Sequence, residues 1–132
     1  MKIQAAGTFE TESTFEPPFH SDAGMKLCRA TVNKVFAGEL VGASTVHMLA
    51  AMTQEKGSAS YVAMEHISGS VAGKQGGFAV FQVGLRDQGA ESLEIGIVAG
   101  SGWGGLTGIR GKMGITNTDG QHAYTLVAEL PE

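Results

Sequence analysis

From Met1 to Glu10 apolar and polar residues alternate, with Ile3, Ala5 and Phe9 on one face and Lys2, Gln4, Thr8 and Glu10 on the other. A period of two marks a half-buried strand. The alternation breaks over residues 11–24, TESTFEPPFHSDAG, where Pro17 and Pro18 fix φ and remove amide donors, so a loop is expected there. Phe15 and Phe19 are unusual cargo for a loop, and the reading that accommodates them is a lid whose two aromatics pack at a barrel mouth.

Further strands are predicted over Met25–Phe36, Val41–Met52, Ser58–Ser70, Gly77–Leu85, Ser92–Ala99, Ile109–Asn117 and His122–Leu130. Turn chemistry separates them: Ala37-Gly38, Glu55-Lys56-Gly57, Gly73 to Gly77, Asp87-Gln88-Gly89 and Asp119-Gly120. The last is a hairpin signal, because Asp-Gly suits a primed turn. Only VGASTVHMLAAM, at Val41–Met52, also tolerates a helical reading. About eight antiparallel strands with short links can close into a single all-β barrel over residues 1–132, with room inside for side chains or one small ligand.

Several strands are apolar on both faces: Phe78 and Val80 alternate with Ala79, Phe81 and Val83, and Leu93, Ile95 and Ile97 neighbour Val98. A barrel in water needs a polar outside, so part of its outer wall is expected to be covered, and self-association as a dimer or trimer is the natural means.

Composition sharpens this picture in a few places. The 20 glycines among 132 residues are about twice the usual share and keep no collagen-like period, which fits the punctuation of many short strands. Nine Lys plus Arg against thirteen Asp plus Glu give a net charge of −4 with no basic stripe, which excludes a nucleic-acid binder of the ordinary kind. No apolar run reaches membrane-spanning or signal-peptide length, and the lone Cys28 has no disulfide partner, so a soluble, cytoplasmic protein is expected.

Recognisable motifs fall away on inspection. Gly100-Ser101-Gly102-Trp103-Gly104-Gly105 has dinucleotide-loop spacing, but LTGIRGKMG follows it and carries no helical apolar stripe. Ser101 does not sit in a nucleophile elbow. His20, His47, His66 and His122 include no pair at metal-ligand spacing, and neither metal nor cofactor is expected. Cys28, between Leu27 and Arg29, reads as a small strand hydrophobe.

The residues left are candidates for a ligand site inside the barrel; none is assigned a catalytic role. Glu65 lies in Tyr61-Val62-Ala63-Met64-Glu65-His66-Ile67 on the face of Tyr61, Ala63 and Ile67. Facing an apolar cavity, it would favour its neutral acid and could exchange protons or orient a ligand, unless Arg29 or another cation reached it; facing outward it is a solvated charge. Gln82 shares the face of Phe78 and Val80 and is a polar partner for it. Tyr61, Arg29 and Tyr124 complete the ligand-binding set.

With strands and glycines placed, the chain resembles a bacterial family of unknown function whose members look like allene oxide cyclase barrels. The matching stretches are Leu27 to Leu40 (LCRATVNKVFAGEL), Gly57-Ser58-Ala59 with Tyr61-Val62-Ala63-Met64-Glu65, Gly100-Ser101-Gly102 through Leu106-Thr107-Gly108-Ile109-Arg110-Gly111, and Tyr124-Thr125-Leu126. The resemblance implies an eight-stranded antiparallel barrel, frequently oligomeric, with an interior able to hold an apolar small molecule, and it hands over no activity. Three functions compete: a binding module for a small hydrophobic or amphipathic ligand, a cyclase or isomerase acting by confinement, and an oligomeric scaffold with a filled barrel.

Overall fold

A computed structural model describes residues 1–132. It contains strands and no helix: β1 (Lys2–Phe15), β2 (His20–Asp22), β3 (Met25–Gly38), β4 (Leu40–Met52), β5 (Ala59–Val71), β6 (Lys74–Asp87), β7 (Ala90–Ile97), β8 (Trp103–Gly104), β9 (Arg110–Thr118) and β10 (Gln121–Glu129). Eight long strands run β1-β10-β9-β7-β6-β5-β4-β3 and return to β1, every neighbour antiparallel, which closes the barrel. Closure depends on β1 serving two partners: it pairs with β10 from Lys2 to Phe9 and with β3 from Gly7 to Phe15.

Residues 11–15 therefore correct the expected loop. They extend β1, His20–Asp22 form β2 against β3, and Ala23-Gly24 is a turn. The Glu16-Pro17-Pro18 stretch with Phe19 leaves the ladder, because the prolines have no amide to offer. Even this stretch is tied down, the Glu16 and Phe19 amides donating to the carbonyls of Arg29 and Leu27. The segment over Val41–Met52 that tolerated a helix is strand β4, since its period-two face of Leu40, Ser44 and Val46 is buried in the barrel. Within Gly73 to Gly77 only the start turns; Lys74 already begins β6.

The two ends of the barrel differ. At the end bearing the β3–β4 and β5–β6 turns, Ile3, Leu40, Ile67, Val71, Phe78 and Leu126 fill the interior. The connection from β7 to β9 folds across that end and inserts Leu106 and Ile109, which are completely buried. Strand curvature there requires backbones to come very close: Gly42, Gly69 and Gly76 stand in one cross-strand row, and a Cβ on Gly69 would lie 2.1 Å from the Val41 carbonyl oxygen. The dinucleotide-like glycine run belongs to this plug. Its Ser101 hydroxyl donates to the Val98 carbonyl and accepts from the Ala79 amide, so the loop is tied to the barrel wall.

Candidate functional site

The opposite end, ringed by the β4–β5, β6–β7 and β9–β10 hairpins, is not filled. Alternation aims one side chain in two along each strand into the interior, and here all eight long strands contribute to a cavity of about 220 Å³. Phe9, Thr11 and Ser13 come from β1, Val32 and Lys34 from β3, Val46 and Met48 from β4, and Tyr61, Gln82, Leu93, Ile115 and His122 from the others in turn. Met48, Tyr61 and Leu93 also line an adjoining groove of about 410 Å³ that runs over the rim to Phe15.

A charged layer separates this cavity from the apolar plug. Glu65 faces inward with Ala63 and Ile67 and is 2% exposed. Its Oε1 accepts from Lys34 Nζ at 3.2 Å and from Gln82 Nε2 at 2.6 Å, and its Oε2 accepts from the Ser44 hydroxyl at 2.5 Å. Lys34, 6% exposed, also stands 4.7 Å from the centre of the Phe9 ring. Gln82 passes the network upward, accepting from the Tyr61 hydroxyl at 3.3 Å. No buried side-chain polar atom lacks a partner, which is what makes an ion pair tolerable in a barrel interior.

The sequence-predicted residues separate accordingly. Glu65, Gln82 and Tyr61 meet in one network. Glu65 does not have the apolar surroundings of a neutral cavity acid, because a cation reaches it, and that cation is Lys34 and not Arg29. Arg29 is exposed on the outer wall with its guanidinium 5.6 Å from the Phe19 ring; it alternates out of phase with its inward neighbours Cys28 and Ala30. Tyr124 is buried at the β1–β10–β3 junction, accepting from the Leu40 amide at 2.8 Å and placed 3.0 Å from the Ala37 carbonyl it can donate to, so its hydroxyl is engaged by backbone. Phe15 reaches the groove at the mouth, whereas Phe19 lies on the outer wall beside Leu27 and Leu49; both rings are more than half exposed, and no closed lid forms.

Lys34 and Ser44 escaped sequence reasoning. The signal was present, since Cys28, Ala30, Val32, Lys34 and Phe36 form one alternating face whose other members are apolar or small. On the outside, Leu49, Val62, Met64 and Leu85 leave an exposed apolar face across β4, β5 and β6, the surface on which the expected self-association would rest.

Both tyrosines of the chain have hydroxyl pKa values above the ordinary 10.0. For Tyr61 the first cause is burial and the second is the negative charge of Glu65. For Tyr124 burial again leads, opposed by the Leu40 bond and reinforced by Glu39. The folded state thus keeps protons the unfolded chain would release, and their stabilising contribution is complete below the unfolded value and lost as pH rises through the folded ones. In a spectrophotometric titration at the phenolate band, the native protein is expected to be less ionised than the urea-unfolded chain at the pH where the latter is half ionised; coincident curves would contradict the burial of these hydroxyls.

No curated protein matches the chain. Over 100% of both chains, at 35% sequence identity and a TM-score of 0.93, it is similar to the crystal structure of a protein of unknown function from the DUF3224 family of Shewanella oneidensis MR-1. The family model described as "Protein of unknown function (DUF3224)" matches residues 5–127. On sequence and on fold alike, the chain belongs to the DUF3224 family.

Proposed function

We propose that the protein is a binding module that takes a small, largely apolar molecule into the open end of its barrel. The observation that carries this reading is the asymmetry of the interior: one end is packed to completion, while the other keeps a cavity lined by every long strand above a floor whose polar groups each have a protein partner. Convergent polar groups beneath apolar walls of Met48, Leu93 and Ile115 are the usual composition of a small-molecule site. The filled-scaffold reading does not account for that space. The cyclase or isomerase reading needs an acid presented to substrate, and Glu65 has both oxygens engaged below the cavity and does not line it. The likeness to allene oxide cyclase barrels supports the architecture of this proposal and no activity, because one barrel can host unrelated functions.

Titration with a panel of apolar fragments of about ten non-hydrogen atoms, followed through backbone amide shifts, tests it. Saturable shifts are expected at Thr11, Met48, Tyr61 and Leu93 and not around Leu126 and Leu130. Thr11→Trp, at an exposed rim position, should abolish them by closing the mouth. Absence of any saturable shift would leave the filled scaffold as the better description.

A further inference from the structure

The polar floor has unequal hydrogen-bonding capacity left over. Glu65 accepts three bonds from protein donors, and Gln82 accepts from Tyr61 and donates one of its two amide N–H groups to Glu65, which leaves it one neutral N–H. Lys34 is different: its ammonium carries three N–H groups, one bonds Glu65 at 3.2 Å, and no other protein acceptor takes the rest. Lys34 lines the cavity and Glu65 does not. What the floor presents to an occupant is therefore a donor on a buried cation whose counter-charge lies on its far side.

From this geometry we infer that the occupant of the cavity, on the reading proposed above, is a neutral molecule with a carbonyl oxygen, a ketone, ester or amide, which accepts from Lys34 Nζ while its apolar body lies against Met48, Leu93 and Ile115. Charge decides against the two ionic alternatives. An ammonium-bearing ligand would meet Lys34 head on. A carboxylate would gain from Lys34, but Glu65 stands about twice as far away behind it and, because the Coulomb interaction falls inversely with distance, cancels about half of that gain. The remainder must also offset removal of the carboxylate from water. A carbonyl oxygen gains a charge-assisted hydrogen bond, is cheaply desolvated and meets no repulsion. The Lys34–Glu65 pair thereby selects a polar but uncharged head group.

A matched series, 2-octanone, octanoate and octylamine, separates the possibilities by isothermal titration and amide shifts on the intact protein. We expect 2-octanone to bind at least about tenfold more tightly than either ion, since octylamine meets the like charge of Lys34, while octanoate, although it too accepts from Lys34, loses more hydration and meets the Glu65 charge behind it. With 2-octanone labelled at the carbonyl carbon, its resonance should move downfield on binding as the oxygen accepts from Lys34. In the double variant Lys34→Met with Glu65→Gln, which removes both charges together, 2-octanone should still bind but the carbonyl shift should vanish. Tightest binding of octanoate, equal binding of all three, or a bound ketone with an unmoved carbonyl resonance would each overturn the head-group inference while leaving cavity binding intact. If none of the three binds, the binding-module reading fails as well. Should the double variant not fold, the wild-type carbonyl resonance decides alone.

Discussion

Lys34→Met should lower the unfolding free energy by about 3–5 kcal/mol, because it leaves the Glu65 carboxylate 2% exposed with no cation beside it. Against a total stability of about 5–15 kcal/mol for an ordinary domain, that is a large fraction. Glu65→Leu is expected to cost as much from the other direction: it strands the Lys34 ammonium and also removes the acceptor of the Ser44 hydroxyl and the Gln82 amide. The informative variant is the double one. Removing both charges, as in Lys34→Met with Glu65→Gln, abolishes the need to desolvate an ion pair, so stability should return to within about 1 kcal/mol of wild type or exceed it. Urea unfolding of wild type, Lys34→Met, Glu65→Gln and the double variant forms the cycle, and additive losses in the double variant would show that the two groups do not act as a pair.

Tyr124→Phe is the second change with a large expected effect, about 1–3 kcal/mol for a ring that keeps its packing and loses one oxygen. That oxygen accepts from the buried Leu40 amide and lies within hydrogen-bond distance of the Ala37 and Leu40 carbonyls, joining β10 across β1 to the β3–β4 turn. The side chain can cross β1 only because Gly7 is its cross-strand partner: a Cβ on Gly7 would lie 2.0 Å from the Ala37 carbonyl oxygen and 2.6 Å from the tyrosine hydroxyl. Gly7→Ala should therefore be at least as damaging as Tyr124→Phe, and it should add little in the Tyr124→Phe background only if the clash with the hydroxyl, and not the one with the carbonyl, dominates. Thermal unfolding of the two single variants and the double variant measures this. Wild-type stability in Tyr124→Phe would show that water replaces the hydroxyl at the junction.

The barrel was legible in the sequence because its strands obey a period of two for most of their length, and the same period put Glu65 with Tyr61 on one face and Gln82 with Phe78 and Val80 on another, faces that only the structure turns inward. Two failures share one cause. Arg29 was credited, and Lys34 overlooked, by weighing residue types ahead of phase: in β3 the phase of Val32 and Phe36 admits Lys34 and excludes Arg29. A buried lysine contradicts the usual surface preference of its type, and only the carboxylate of another strand, brought close by the β3–β4–β5 register, makes it stable there. Pairing of that kind is non-local and leaves no local trace. The extension of β1 past Glu10 was hidden for a related reason, since Thr11 and Ser13 are inward residues of an unfilled end and need not be apolar.

The double duty of β1 sets an order for the folding chain. Lys2 pairs with Glu129 and Phe9 with His122, so half of β1's partners are synthesised only after every other strand of the barrel. Sheets closed by such distant contacts collect on the scale of milliseconds to seconds, after nearer hairpins such as β4–β5 and β5–β6 have formed. During translation the amides and carbonyls of Lys2 to Ala6 face water or a chaperone until β10 leaves the ribosome. A chain that stops before Gln121 would retain that unpaired edge permanently and offer it to any other strand within reach, which makes premature termination a route to aggregation and not merely to loss of one hairpin.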